Sequence, residues 1–281
     1  MPTFPTPEPL DLAIDLQVGA IDIIASERAD TAVTVTPSNP DRAVDVRGAE
    51  QTTVEFDGRR LTVVGPRPRL SWIGPTESVD LRIELPATSR VTAEIAVGGV
   101  RTTGALGATR IKSSMGTVEL EQIADLWMRA GHGTASVGRA TGSIDITADH
   151  GQIRVGVVAG DATLKASHGS IRVGESAGDV DAKLSYGDLE ITHALASVSA
   201  KTAYGSIRID EVSRGDIQLQ SGYGQVEVGV RPGVPAWLDL ASKEGHVRNG
   251  LDGDGAPDPA EPSVAVRART QFGDITVRRA G

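Results

Sequence analysis

Three of the five histidines, His132, His150 and His168, recur at intervals of 18 residues, and each is followed directly by glycine. Imidazoles at a fixed repeat are candidate metal ligands, because two or three brought to one face could hold a zinc ion. The series continues, however, as Tyr186, Tyr204, Tyr223 and Phe272, each again before a glycine. Flat rings stacked one repeat above the next explain all seven residues, whereas a metal explains three. The column is therefore read as a structural ring ladder, with no metal and no cofactor assigned. Its alternation parity is that of the buried positions, although a turn can reset it. His193 and His246 lie outside it without an evident carboxylate partner.

A second series stands four residues before the same glycines: Lys112, Arg129, Lys165, Lys183, Lys201 and Arg269, interrupted by Thr147 and Gln220. On the solvent side this makes a basic ridge, a candidate partner-binding surface for lipid headgroups or an acidic polymer. The same charges would also serve as a solvated face that resists aggregation, and Asp145 and Asp181 partly neutralise it. Charges of both signs three residues after the glycines, including Arg172, Glu190, Arg208 and Glu227, suit cross-repeat pairs that each contribute little.

Gly-Asp pairs recur at Gly160, Gly178, Gly187, Gly215 and Gly273, as in calcium-binding β-rolls, but the full nine-residue motif never occurs. One carboxylate per turn supplies too few ligands for an ion that takes about six to eight oxygens. Asp252, Asp254 and Asp258 form an acidic loop that could collect a cation, and Trp127 is an outward aromatic.

Composition removes whole classes of chemistry. Lys plus Arg number 28 against 37 Asp plus Glu, a net charge of −9, which argues against nucleic acid as the partner. Without cysteine there is no disulfide framework, thiolate zinc site or cysteine nucleophile. No apolar run of about 18 residues is present, so no transmembrane segment is expected. The stretch from Met1 to Leu16 holds four prolines and acidic residues in place of a basic and then apolar signal sequence, so a cytoplasmic chain is expected.

The elements that must position these columns follow from the repeat itself. The glycines after Met115, His132, His150, His168, Tyr186, Tyr204 and Tyr223 lie 17 to 19 residues apart, and the series extends to Gly98, Gly245 and Gly273. Two and four residues after the glycine come apolar pairs such as Ile153 and Val155, Ile171 and Val173, and Ile207 and Ile209. Seven, five and three residues before it come triplets such as Leu126, Met128 and Ala130, or Val180, Ala182 and Leu184. Period-two alternation on both sides means two half-buried strands per repeat. A small residue nine positions before the glycine, for example Gly142, Gly160 or Gly178, supplies the second turn. Such a unit can bury its apolar face only by stacking on its neighbours. The expected fold is all-β: a single-stranded parallel β-solenoid, or β-helix, of about 18 residues per coil. Proline agrees, since none of the 15 falls between Ala87 and Arg231, and helix is expected to be nearly absent.

Residues 1–90 are read as an irregular N-terminal β cap that includes a first coil, laid down by Leu12 to Ile23. Within it, Thr53 to Phe56 and Leu61 to Val64 should form a hairpin closed by a type I′ turn at Asp57-Gly58. Residues 91–281 are read as the solenoid, forming one structural unit with the cap. An excursion loop is placed at 249–262, and Val264 to Arg278 resumes the stack as the final coil.

The Tyr-Gly-Ser-Ile-Arg-Ile unit at Tyr204, the Phe-Gly-Asp-Ile-Thr-Val unit at Phe272 and the run from Leu12 to Ile23 resemble a bacterial family of uncharacterised β-strand repeat proteins, the toast-rack type, known as candidate adhesins. The resemblance covers nearly the whole chain. It implies a β-solenoid linked to envelope-stress or membrane-associated systems, and it carries across no catalytic residue.

The functional expectation is a non-enzymatic binding or structural scaffold with a protein or envelope-associated partner. A secreted adhesin is the alternative, disfavoured by the lack of a secretion signal. A β-helix enzyme is disfavoured too. Stepping six residues from Ile171 meets Ala177 and then Lys183, which breaks the acyltransferase hexapeptide pattern, and no acidic column provides the converging carboxylates of a polysaccharide-active site.

Overall fold

The computed structural model describes residues 2–66, 77–251 and 263–281. The late acidic residues Asp252, Asp254 and Asp258, and most of the 249–262 loop, lie outside the described residues. Two compact units are distinguished, Met1–Thr141 and Gly142–Gly281.

In the second unit each coil contributes one strand to each of two parallel ladders. Ile144–Val158 pairs through its first half with Ala162–His168, which pairs in turn with Val180–Tyr186, Val198–Tyr204 and Gly215–Tyr223. Its second half starts the other ladder, continued by Ile171–Ser176, Leu189–Ala194, Ile207–Val212 and Val226–Val230. Register follows the glycine repeat residue for residue, with Ile171 beside Leu189 and Leu189 beside Ile207. The alternating residues all face inward: Ile153, Ile171, Leu189, Ile207, Val226 and Ile275 are buried, as are Ile146, Leu164, Ala182, Ala200 and Leu219. This is the β-solenoid the spacing predicts, with a narrow apolar spine.

The marker glycines are a steric necessity at the corner between the two ladders. Gly205 has φ +147°, and a Cβ there would stand 2.0 Å from the carbonyl oxygen of Gly187. Only glycine tolerates both that backbone conformation and that approach.

The last two coils do not stack in chain order. Val264–Phe272 pairs on one side with Gly215–Tyr223 and on the other with Ala236–Glu244. Ile275–Arg279 likewise lies between Val226–Val230 and Val247–Gly250. The C-terminal coil is therefore inserted, and the Gly245 coil is outermost. The physical reason is pattern quality. The inserted coil turns Val264, Val266, Ala268, Ile275 and Val277 into the core, all buried. The Gly245 coil offers Asn249 where the inserted coil has Val277. The better apolar coil takes the doubly covered position, and the more polar one serves as the terminal cap. Leu238 and Leu240 remain half-buried as a result.

The first unit shows the same device at the chain's beginning. Asp11–Ser26 lies between Arg90–Leu106 on one side and Arg60–Val64 with Val79–Pro86 on the other, all parallel. Thr109–Met115 and Val118–Ile123 continue the ladders to Leu126–Ala140. Antiparallel strands close the opposite side: Asp30–Pro37 on Val79–Pro86, Thr3–Pro5 on Asp30–Pro37, and Thr53–Phe56 on Arg60–Val64. The expected hairpin is present, but its turn is not type I′ at Asp57-Gly58. The Asp57 amide donates to the Arg60 carbonyl at 3.2 Å, which centres the turn on Gly58 and Arg59, and of these only Gly58 has positive φ. Phe56 pairs with Leu61, and the Asp57 carboxylate accepts from the Arg59 and Arg60 amides.

One helix, Ala43–Gln51, departs from the expectation of almost none. Its anchor is polar: the fully buried Asp45 carboxylate pairs with Arg42 at 3.2 Å and accepts the Ser78 amide at 3.1 Å. A helix held by a buried carboxylate has no apolar stripe for a sequence scan to find. Among the described residues no helix is long and apolar enough to cross a membrane.

Candidate functional site

Ladder register places ring over ring at the glycine corners of the second unit. His150 and His168 stack at 4.8 Å with planes 4° apart, His168 and Tyr186 at 5.0 Å, and Tyr186 and Tyr204 at 4.9 Å. Tyr204 and Tyr223 follow at 4.9 Å, then Tyr223 and Phe272 at 4.7 Å. His132 belongs to the first unit, in register with Met115. Of the two outcomes open for the column's parity, the reset by the turn is the one observed. Tyr186 is 49% exposed and Phe272 42%, because the positive-φ glycine bends the chain and resets the alternation just where the ring stands.

This geometry limits the available chemistry. Each ring's faces are covered by its neighbours, so a sugar cannot stack on the inner members, and only edges and hydroxyls meet solvent. Parallel imidazoles at 4.8 Å hold like nitrogens farther apart than the roughly 4.2 Å that one zinc ion spans between two ligands. Among the described residues no group of three or more potential ligands clusters.

The basic ridge divides between the units. In the first, Lys112 and Arg129 are register neighbours. Lys112 lies 3.4 Å from Glu94, while Arg129 stands 5.4 Å from the Trp127 ring. Trp127 is half-buried, with the Arg110 guanidinium 3.7 Å over its ring. In the second unit Lys165, Lys183 and Lys201 occupy three successive coils in direct register, all exposed. Lys183 makes a 3.0 Å pair with Asp181 within its own strand. Gln220 separates Lys201 from Arg269, which is paired with Asp239 at 2.7 Å.

Between the three lysines and the rings of the same coils stand only small side chains, Ser167, Ser185 and Ala203. The result is a shallow strip: a row of ammonium groups on one margin, and the edges of His168, Tyr186 and Tyr204 on the other.

The Gly-Asp pairs have a role that the sequence reading missed. Asp161 accepts the Asp179 amide of the next coil at 3.0 Å, and Asp179 accepts the Ser197 amide at 3.0 Å. At the opposite turn Asp188 accepts the Ser206 amide at 2.7 Å, and Asp274 accepts that of His246 at 2.9 Å. That amide, with Arg248 nearby, holds the Asp274 carboxyl below the ordinary carboxylate range. These carboxylates tie coil to coil. The signal that could have revealed this is the alternation of Asp and Ser, both good acceptors for turn amides, at matched positions of successive coils.

Charges three residues beyond the glycine pair across coils as expected, Arg101 with Glu119 at 2.8 Å and Arg172 with Glu190 at 3.2 Å. An open groove of about 490 Å³ in the first unit, lined by Ala20, Gly99, Thr117, Asp22, Arg101 and Glu119, arises where small residues follow the marker glycines.

No protein of curated function matches the chain. Two crystal structures align along nearly its full length. A candidate cell adhesion protein from Clostridium sporogenes is 12% identical over 99% of this chain and 98% of its own, with a TM-score of 0.23. A candidate adhesin from Parabacteroides distasonis is 12% identical over 98% and 95%, with a TM-score of 0.34. The family model described as Toastrack DUF4097 matches residues 11–278, which takes in the inserted first coil, the ring column and the inserted last coil. The chain is a member of the Toastrack DUF4097 family.

Proposed function

We propose that the chain is a non-enzymatic binding scaffold, resident in the cytoplasm, that docks on the anionic headgroups of the bacterial membrane through the strip in its second unit. The observation that carries this reading is the direct register of Lys165, Lys183 and Lys201 beside the exposed ring edges. Like charges on neighbouring strands repel and cost stability in the isolated fold. An anionic surface relieves that repulsion. Lysines at an anionic membrane surface are worth about 1 kcal/mol each, so three strengthen binding roughly a hundredfold. Tyrosine edges with their hydroxyls in water suit the headgroup layer, where amphipathic rings concentrate. The net charge of −9 opposes nonspecific approach and restricts contact to this strip. The absence of catalysis rests on the recurring carboxylates, which are engaged by backbone amides in place of facing one another across a cleft.

Co-sedimentation with phosphatidylglycerol and with phosphatidylcholine vesicles tests the reading. Binding to the anionic vesicles alone, weakened by added salt and abolished in a folded Lys165→Glu, Lys183→Glu, Lys201→Glu triple variant, is the expected result. Equal binding by wild type and triple variant, or no binding to either vesicle, would reject it.

A further inference from the structure

All three tyrosines of the chain, Tyr186, Tyr204 and Tyr223, stand in one column on successive coils. Their rings are parallel within 5°, 4.9 Å apart, and close to half exposed. Nothing in the stacking of the fold requires phenols here, since Phe272 and His168 continue the same column without a hydroxyl.

We propose that this run is an oxidative modification site, at which hydrogen peroxide activated by a haem peroxidase joins neighbouring tyrosines into dityrosine and so staples one coil to the next. Each phenol loses one electron and one proton to become a phenoxyl radical, with spin density on the carbons ortho to oxygen. Two such carbons on adjacent rings form a carbon–carbon bond. Both rings then regain aromaticity as the ring hydrogens move to the oxygens, which restores two phenols. The two electrons and two protons removed reduce one hydrogen peroxide to two waters, so the step balances with no further reactant.

Geometry favours coupling within the molecule. In the linked biaryl the two para carbons sit at about the separation of neighbouring coils and well short of two coils. Tyr204 can therefore reach Tyr186 or Tyr223, while those two, about twice 4.9 Å apart, cannot reach each other. Ring edges open to solvent let the oxidant in, and the ladder register holds the radicals side by side, so coupling outruns encounter with another molecule at low protein concentration.

The test is brief treatment of dilute protein with peroxidase and hydrogen peroxide, followed by dityrosine fluorescence and peptide mass mapping of the monomer fraction. The expected product is a monomer lacking two hydrogens, with the link at Tyr186–Tyr204 or Tyr204–Tyr223. Tyr204→Phe keeps a stacking ring and should abolish the link in monomer. Tyr186→Phe should retain it at Tyr204–Tyr223. Dityrosine confined to intermolecular dimers, or undiminished in Tyr204→Phe monomer, would overturn the proposal.

Discussion

Phe272 lies flat on Tyr223, ring centroids 4.7 Å apart and planes within 3°, although the whole Gly245 coil separates them in sequence. The ring beyond which the Gly245 coil must dock is thus Phe272, with Glu244 as its register neighbour. Aromatic pairs add about 0.5–1.5 kcal/mol beyond area burial. Phe272→Ala is therefore expected to cost about 1–2 kcal/mol in urea unfolding. Glu244→Ala, at the outermost coil, should stay within about 0.5 kcal/mol. Equal effects would place the two coils wrongly.

The glycine corner sets a sharper expectation. Gly205→Ala puts a methyl 2.0 Å from the Gly187 carbonyl oxygen at φ +147°, and the backbone must yield. The cost should exceed the roughly 1–3 kcal/mol of a sparsely populated conformation alone. Gly233 also has positive φ, +78°, but open space where a Cβ would stand. Gly233→Ala should cost about 1 kcal/mol. A smaller shift in the urea midpoint for Gly205→Ala than for Gly233→Ala would contradict the close-approach argument.

Acid should weaken the N-terminal coil through Asp11. The Arg90 guanidinium makes a two-point contact with this carboxylate, at 2.5 and 2.9 Å, and holds its pKa below the ordinary value. A carboxyl with a lowered folded pKa stabilises the fold above its unfolded value of about 3.9. That contribution is lost as pH falls through the folded value. Asp11→Asn should thus lower the urea midpoint near neutral pH, and the gap to wild type should close in acid. A gap independent of pH would sink this assignment.

The fold was legible because each strand has one wet face and one dry face, so residues such as Ile171, Val173, Leu189 and Ile191 declare their direction without tertiary information. Coil order was not legible. A repeat that matches itself at every 18-residue step fits equally well against any copy, and only differences in quality, such as Asn249 against Val277, choose between neighbours. The ring column is legible from spacing, but its exposure is not, because parity does not survive a positive-φ corner. The helix at Ala43–Gln51 escaped because a buried ion pair at Asp45 positions it. The three lysines are legible from spacing, whereas the strip beside them emerges only once the ladder aligns Lys165, Lys183 and Lys201 with His168, Tyr186 and Tyr204.

Parallel coils stacked in an order different from chain order can be tested by bridging them. The chain has no cysteine of its own, so introduced pairs report without background. Gln220 and Arg269 are register neighbours, while Ala241 lies one coil farther, beside Arg269. Adjacent strands about 4.8 Å apart fall within the range of about 4.4–6.8 Å between Cα atoms that a disulfide spans, and strands two coils apart do not. Under mild oxidation the double variant Gln220→Cys, Arg269→Cys should form an intramolecular bridge, and Gln220→Cys, Ala241→Cys should not. The reverse pattern, with Ala241→Cys bridged to Gln220→Cys, would show the coils piled in simple sequence order and contradict the insertion of the last coil.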